Sequence, residues 1–190
     1  MKKTILFSVL CLFSLTCTAQ DIKTGNARLG VGTNITDYFY LLTPNVDLQY
    51  SINRHVTAQA GLKYNNWSFA GGTDREVKNR RQTYYAGARW WPWYTFSGWW
   101  MGSAAQFEEY DTGGVFRDDS EAGNAVGLSV SAGYSLQIKK WLNVDVGVGV
   151  WGGKTRYSLY ACPYCGKKLE DGEKFFVLPN EARVALQFIF

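Results

Sequence analysis

The sequence predicts an all-β fold: an eight-stranded antiparallel up-and-down transmembrane barrel, of the smallest outer-membrane size, behind a signal peptide. Three observations carry this expectation. Apolar and non-apolar residues alternate with period two through most of the chain, as they do in strands with one greasy face. Runs such as Val126–Ile138 exceed the roughly 5–6 residues of a common globular strand and suit the roughly 9–11 that cross a bilayer. The connections between runs alternate short and long, the asymmetry of tight periplasmic turns and longer surface loops.

Lys2 and Lys3 precede an apolar run, Ile5–Leu15, and the small residues Cys17, Thr18 and Ala19 precede Gln20. These are the charged, apolar and cleavage regions of a signal peptide covering residues 1–19. The run is too short for a membrane-spanning helix. A lipoprotein signal with Cys17 lipidated fits less well, because Thr16 stands where a smaller residue is usual. Residues 20–190 then form one domain. Loss of Lys2 and Lys3 lowers the formal charge of +4 by two, too little to suggest a nucleic-acid partner. Aromatic residues make up 16% of the chain, with 20 glycines and 4 prolines, and no later segment is long and apolar enough for a spanning helix.

The strands follow in order. Ala27, Leu29 and Val31 alternate with Arg28, Gly30 and Gly32, and a loop covers Asn34–Thr43. Val46, Leu48, Tyr50 and Ile52 mark the second strand, which turns at Asn53-Arg54-His55 into a third with Val56, Ala58, Ala60, Leu62 and Tyr64. A polar loop through Gly71-Gly72 to about Arg80 leads to the fourth, with Tyr84, Ala86, Ala88 and Trp90. A ring-rich turn near Trp93–Gly98 opens the fifth, with Trp99, Met101, Ala105 and Phe107, where Trp100 and Ser103 break the pattern. After a loop at about Tyr110–Ala122, the sixth runs Val126–Ile138, and Lys139-Lys140-Trp141 turns into the seventh, Leu142–Val150. A loop at about Arg156–Lys174 precedes the closing strand, Glu181–Phe190, whose greasy face is Val184, Leu186, Phe188 and Phe190, with Ile189 as the exception. A chain ending on such a face, on an aromatic residue, looks like the assembly signal read by the barrel assembly machinery.

The non-greasy face is rich in Gly, Ser, Asn and Gln, which suits the narrow interior of eight strands. Its charges balance: Arg28, Lys63, Arg89 and Arg183 against Asp47, Glu108, Asp145 and Glu181. They predict a lumen charge network, since buried charge must be paired. Surface ion pairs on a soluble sandwich are the competing explanation. Trp90, Trp91, Trp93, Trp99 and Trp100 flank one short turn, and Trp141 sits at another. Together they predict an aromatic girdle at the membrane interface, against the alternative of a sugar-stacking platform.

Candidate chemistry is sparse. Cys162-Pro163-Tyr164-Cys165-Gly166 matches both a redox motif and one knuckle of a zinc site. No helix follows to lower a thiol pKa, and no second ligand pair exists to complete a metal site. The pair therefore reads as a disulfide or structural thiols, with half of an intermolecular metal site and redox activity behind. His55, the only histidine, lies in a tight turn, away from where a lipid-acting base would work. Glu108 and Glu109 are adjacent and so point to opposite faces. Asp118 and Asp119 lack companion ligands for calcium. No phosphate loop, nucleophile elbow or metalloprotease motif occurs.

Thr43-Pro44-Asn45-Val46, the basic turns before Val56 and Leu142, and Cys162-Pro163-Tyr164-Cys165-Gly166-Lys167-Lys168 resemble a Bacteroidetes group of outer-membrane barrels classed as domain of unknown function 3575. The likeness covers most of the mature chain. It implies a small barrel without transferable catalytic residues; some relatives are thought to accompany surface fimbrial proteins. The expectation is thus a non-enzymatic, cofactor-free outer-membrane barrel with an envelope-structural or surface-interaction role, in contact with outer-membrane lipid and a surface or fimbrial protein. A lipid-modifying envelope enzyme and a soluble lipocalin-like carrier are the alternatives.

Overall fold

The computed structural model describes residues 29–39, 42–71, 75–113, 119–161 and 167–190. Eight strands form a closed antiparallel ring in sequence order. They are β1 (Leu29–Asn34), β2 (Asn45–Asn53), β3 (Val56–Gly71), β4 (Arg75–Trp90), β5 (Gly98–Gly113), β6 (Ser120–Lys139), β7 (Leu142–Tyr160) and β8 (Lys168–Ile189). A five-residue helix, α1 (Ile35–Phe39), follows β1. The ring closes where β1 pairs with β8, from Gly30 opposite Ile189 to Asn34 opposite Ala185. Residues 1–28, including the expected signal peptide and Arg28, lie outside the described residues, as do Cys162, Cys165 and Asp118.

Every strand turns most of its large apolar side chains outward; Trp100, Trp151 and Ile189 are the buried exceptions. Leu29, Leu48, Leu62, Tyr84, Met101, Val130, Val148 and Phe188 are all exposed, and each sits on the outer face by the strand's two-residue period. The inner face is polar: Asn34, Asp47, Gln49, Thr57, Gln59, Arg89, Gln106, Asn143, Asp145, Arg183 and Gln187 are buried. An ordinary globular core has the opposite polarity.

The wall is uneven in height. β1 has 6 residues and β2 has 9, whereas β6 has 20 and β8 has 22. Stretches read from sequence as loops at Tyr110–Ala122 and Arg156–Lys174 are largely paired strand, since β5 runs to Gly113 opposite Ser120 and β7 runs to Tyr160 opposite Lys168. The reason is chemical. Above the apolar belt polar and charged residues occupy both faces, with Leu169, Phe175 and Val177 as scattered exceptions, so no regular hydrophobic alternation marks the strands. There Arg156 bonds Glu173 at 2.6 Å, Lys154 pairs with the same carboxylate, and Ser158 bonds Asp171 at 2.6 Å. These cross-strand pairs form a polar collar on the wall.

The other end is sealed by the β4–β5 connection. Trp91, Phe96, Trp100 and Ile189 form the apolar cluster inside the ring. Trp91 and Phe96 are tilted with centroids 6.0 Å apart, and Trp91 and Trp100 with centroids 6.5 Å apart. Phe96 has φ of +64°, a left-handed backbone that bulky residues rarely adopt. It is held by its buried ring and by Asn143 Nδ2, which donates to Phe96 O at 2.6 Å.

Candidate functional site

The candidate site is the lumen, because alternation delivers charged side chains from four strands, and a glutamine from a fifth, into one closed space. β2 supplies Asp47, β3 Gln59, β4 Arg89, β7 Asp145, and β8 Glu181 and Arg183. Arg183 is the hub. Its guanidinium pairs with Asp47, bonds Glu181 at 2.8 Å and lies 3.9 Å from Asp145. Arg89 bonds Asp145 at 3.0 Å and donates from Nε to Gln59 Oε1 at 2.6 Å. The face of Trp100 lies 4.0 Å from the Arg89 guanidinium carbon, a cation–π contact that joins the ion network to the apolar plug. Asp145 is fully buried, so its charge depends on these two arginines.

The charged residues expected in one network fall into three groups. Asp47, Arg89, Asp145, Glu181 and Arg183 meet at the centre. Lys63 pairs instead with Asp37 of α1 at 2.9 Å. Glu108 accepts from Thr83 Oγ1 at 3.2 Å and lies 3.6 Å from Arg81. Asp37 was hidden in a segment read as a loop, and Arg81 stood just past the loop read to about Arg80, before the strand's apolar alternation begins. Gln59 has the inward parity of its strand, but a neutral amide carries no charge signal; Trp100 was expected among the outward girdle rings.

Two of the six expected girdle tryptophans need correction. Trp91 is 0% and Trp100 is 1% exposed; both point inward and plug the ring. Trp100 does not break the alternation of β5: it faces in, and Ser103, three residues further along the same strand, faces out. The rings fit inside because Gly133 and Gly147 lie beneath Trp100, where a methyl on either would strike the indole. Trp91 Nε1 donates to Thr57 Oγ1 at 3.1 Å, which satisfies its polar edge. Trp90, Trp93, Trp99 and Trp141 are exposed at this end, with Trp99 edge-on to Tyr134 and Trp141 stacked on Phe188.

The closing-strand residues Val184, Phe188 and Phe190 are exposed on the outer face, with Leu186 half-buried among them. Ile189, the exception in the pattern, belongs to the inner plug.

Little free volume remains. A cavity of about 20 Å³ lies among Gln59, Lys63, Arg89, Gln106, Glu181 and Arg183, room for about one water molecule. His55 is half-buried at the β2–β3 turn, with Nδ1 3.0 Å from Trp91 O. Among the described residues no group of three or more metal-ligating side chains occurs.

A second polar cluster lies in the collar. Tyr110 Oη donates to Glu121 at 2.8 Å and lies 2.9 Å from Thr155 Oγ1. Lys174 donates to the same carboxylate oxygen at 2.9 Å. Burial pushes the Tyr110 phenol up to about 12, with the nearby Glu121 charge adding to the rise. Burial would raise Glu121, but hydrogen bonds from Lys174 and Tyr110 outweigh it and hold the carboxyl below its ordinary value.

No curated protein and no solved structure matches the chain significantly. A family model described as "Protein of unknown function (DUF3575)" matches residues 5–190. That span takes in all eight strands and both ends of the lumen, so this chain belongs to the DUF3575 family.

Proposed function

We propose that the chain is a non-enzymatic outer-membrane β-barrel with a side-chain-filled lumen, exported by its first 19 residues and serving an envelope-structural or surface-interaction role. The observation that carries this reading is the inverted polarity: an apolar outer belt on all eight strands around buried, mutually paired charges. On β5 the belt runs from Trp99 to Phe107, close to the roughly 9–11 residues of a tilted spanning strand. Such a surface is unfavourable in water, at about 25 cal/mol per Å² of apolar area, and favourable in lipid. A lipocalin-like carrier needs the reverse polarity and a cavity far larger than about 20 Å³, since ligand pockets run to about 300–1,000 Å³. The lumen carboxylates are held by arginines, which leaves them ill-suited to acid–base work on lipid.

In this reading Trp90, Trp93, Trp99 and Trp141 lie at the periplasmic interface, and Val184, Leu186, Phe188 and Phe190 form the strand end that the assembly machinery recognises. The test is extraction and gel migration. The native protein is expected in the detergent-soluble envelope fraction, migrating differently before and after boiling. Recovery from the soluble periplasm without detergent would overturn the reading. Phe190→Ala is expected to lower the assembled, heat-modifiable fraction; normal assembly would remove the recognition role and leave the barrel standing. A reproducible change in lipid A or phospholipid acyl chains on deleting the gene would overturn the non-enzymatic part.

A further inference from the structure

The collar has an open seam. β1 pairs with β8 only as far as Asn34 opposite Ala185, and β2 pairs with β3 only as far as Asn45 opposite Lys63. β8 nevertheless extends to Lys168 and β3 to Gly71. Between them, among the described residues, no strand fills the wall. The connection bearing α1, with Phe39 and Leu42 exposed, stands at the foot of this gap.

The backbone of β8 faces the gap in a defined phase. The N–H of Phe190 donates to Leu29 O at 2.8 Å, that of Val184 to Asn34 Oδ1 at 3.0 Å, and that of Ile189 to Trp141 O on the opposite side at 2.9 Å. Even-numbered residues here thus point their backbone groups toward β1. The bulge opposite Gly149 and Val150 shifts the phase by one. Above it the backbone groups of Asp171, Glu173, Phe175, Val177 and Pro179 face the gap. Pro179 lacks an N–H, and a strand tolerates proline only on an unpaired edge or at a bulge. The side chains agree that this edge is uncovered: Phe175 is 84% and Val177 is 79% exposed. On the β3 side the edge is partly satisfied, since the N–H of Tyr64 bonds Pro44 O at 3.0 Å and that of Trp67 bonds Asn65 Oδ1 at 3.3 Å. A long strand edge with free backbone groups and large apolar side chains is a template for a further strand.

We propose that the β8 edge from Asp171 to Val177 docks an extended segment of a partner polypeptide outside the cell, added antiparallel to β8 in continuation of β1. The proposal rests on the membrane reading, which fixes the direction of the edge. A second copy in the same membrane does not fit. Like edges join only with their strands antiparallel, whereas two barrels in one membrane run their β8 strands the same way. The recognition chemistry is main-chain hydrogen bonding, with alternate side chains giving specificity. Apolar residues sit opposite Val177 and Phe175, and neutral polar residues sit opposite Glu173 and Asp171, whose carboxylates are already paired with Lys154, Arg156 and Lys168. Because the added strand is antiparallel, its apolar half comes first in sequence.

The probe is a short synthetic peptide in which valine and threonine alternate, with serines replacing the valines of the carboxyl-terminal half. It is added to the full protein in lipid nanodiscs, and hydrogen–deuterium exchange is read by residue. Amides of Glu173, Phe175 and Val177 are expected to slow, while those of Lys174 and Phe176, which face β7, stay unchanged. Val177→Pro, which removes an edge donor and leaves the β7 ladder intact, is expected to weaken binding about tenfold. Val177→Lys, an edge charge that blocks strand addition while keeping the N–H, is expected to do the same. Unchanged exchange at the edge, binding by both variants as tight as by the wild type, or equal binding of a scrambled peptide with clustered valines would overturn the docking site. Heat-modifiable migration, measured on the same samples, separates the two failures: its absence in the wild type refutes the membrane reading, and its presence without edge protection refutes only the docking site.

Discussion

At the residue scale the lumen turns on Asp145. Its carboxylate is fully buried and sits between Arg89 at 3.0 Å and Arg183 at 3.9 Å. Removing one partner of a buried ion network leaves uncompensated charge and costs about 3–5 kcal/mol. Asp145→Asn is therefore expected to lower the unfolding free energy by about that amount, measured by urea titration in lipid vesicles with the gel shift as readout. Arg89→Met combined with Asp145→Leu is expected to recover most of the loss, because matched apolar replacements of buried pairs are often neutral or better. A double variant as unstable as the single one would show that the network contributes more than charge balance. The pairing partners of Asp145 were legible in the sequence, since parity and charge both point inward at Arg89 and Arg183. The Trp100 face over Arg89 was not, because an indole beside four other rings reads as membrane interface whichever way it points.

At the element scale the informative part is the collar, which hydrophobic alternation cannot reveal. In Lys168–Lys174 both faces carry charge, and the strand forms because Glu173, Asp171 and Lys174 find partners across it. Alternation is a signal of one buried or lipid-facing side, so it marks the belt and falls silent above it. The bulge that brings Pro179 opposite Val150 is equally invisible to a period count, because it resets the phase. The cluster of Tyr110, Glu121 and Lys174 makes the collar's contribution depend on pH. The Glu121 carboxyl is lowered in the fold, so its contribution is present above its ordinary value of 4.5 and is lost as pH falls through the folded value. The Tyr110 phenol is raised to about 12, so its contribution is present below its ordinary value of 10.0 and is lost as pH rises through about 12. Glu121→Gln is expected to cost about 1 kcal/mol at neutral pH, as a partly exposed charged hydrogen bond does. The gap between variant and wild type should narrow as pH falls below 4.5 and through the folded value, measured as thermal midpoints across a pH series. A gap that does not change with pH would assign the effect to packing.

At the scale of the whole molecule, strand number and filling decide what the ring can pass. Eight strands enclose an interior that side chains just fill, whereas open channels take about 16–18 strands. Here two barriers lie in series: the plug of Trp91, Phe96, Trp100 and Ile189 at one end, and the network of Arg183, Asp47, Glu181, Asp145 and Arg89 above it. The cavity between the lining groups holds about 20 Å³, about one water, so among the described residues the two barriers leave little room for a water path. The barrel in planar bilayers is therefore expected to show no steady conductance. Opening one barrier alone should not change that: Trp100→Ala removes an indole and leaves the ions in place, costing about 3–5 kcal/mol of stability without a current. Only removal of both barriers, Trp100→Ala with Arg183→Ala and Asp47→Ala, is expected to give brief conducting events. Steady current through the unmodified barrel would contradict the closed lumen and move the functional reading from wall to channel.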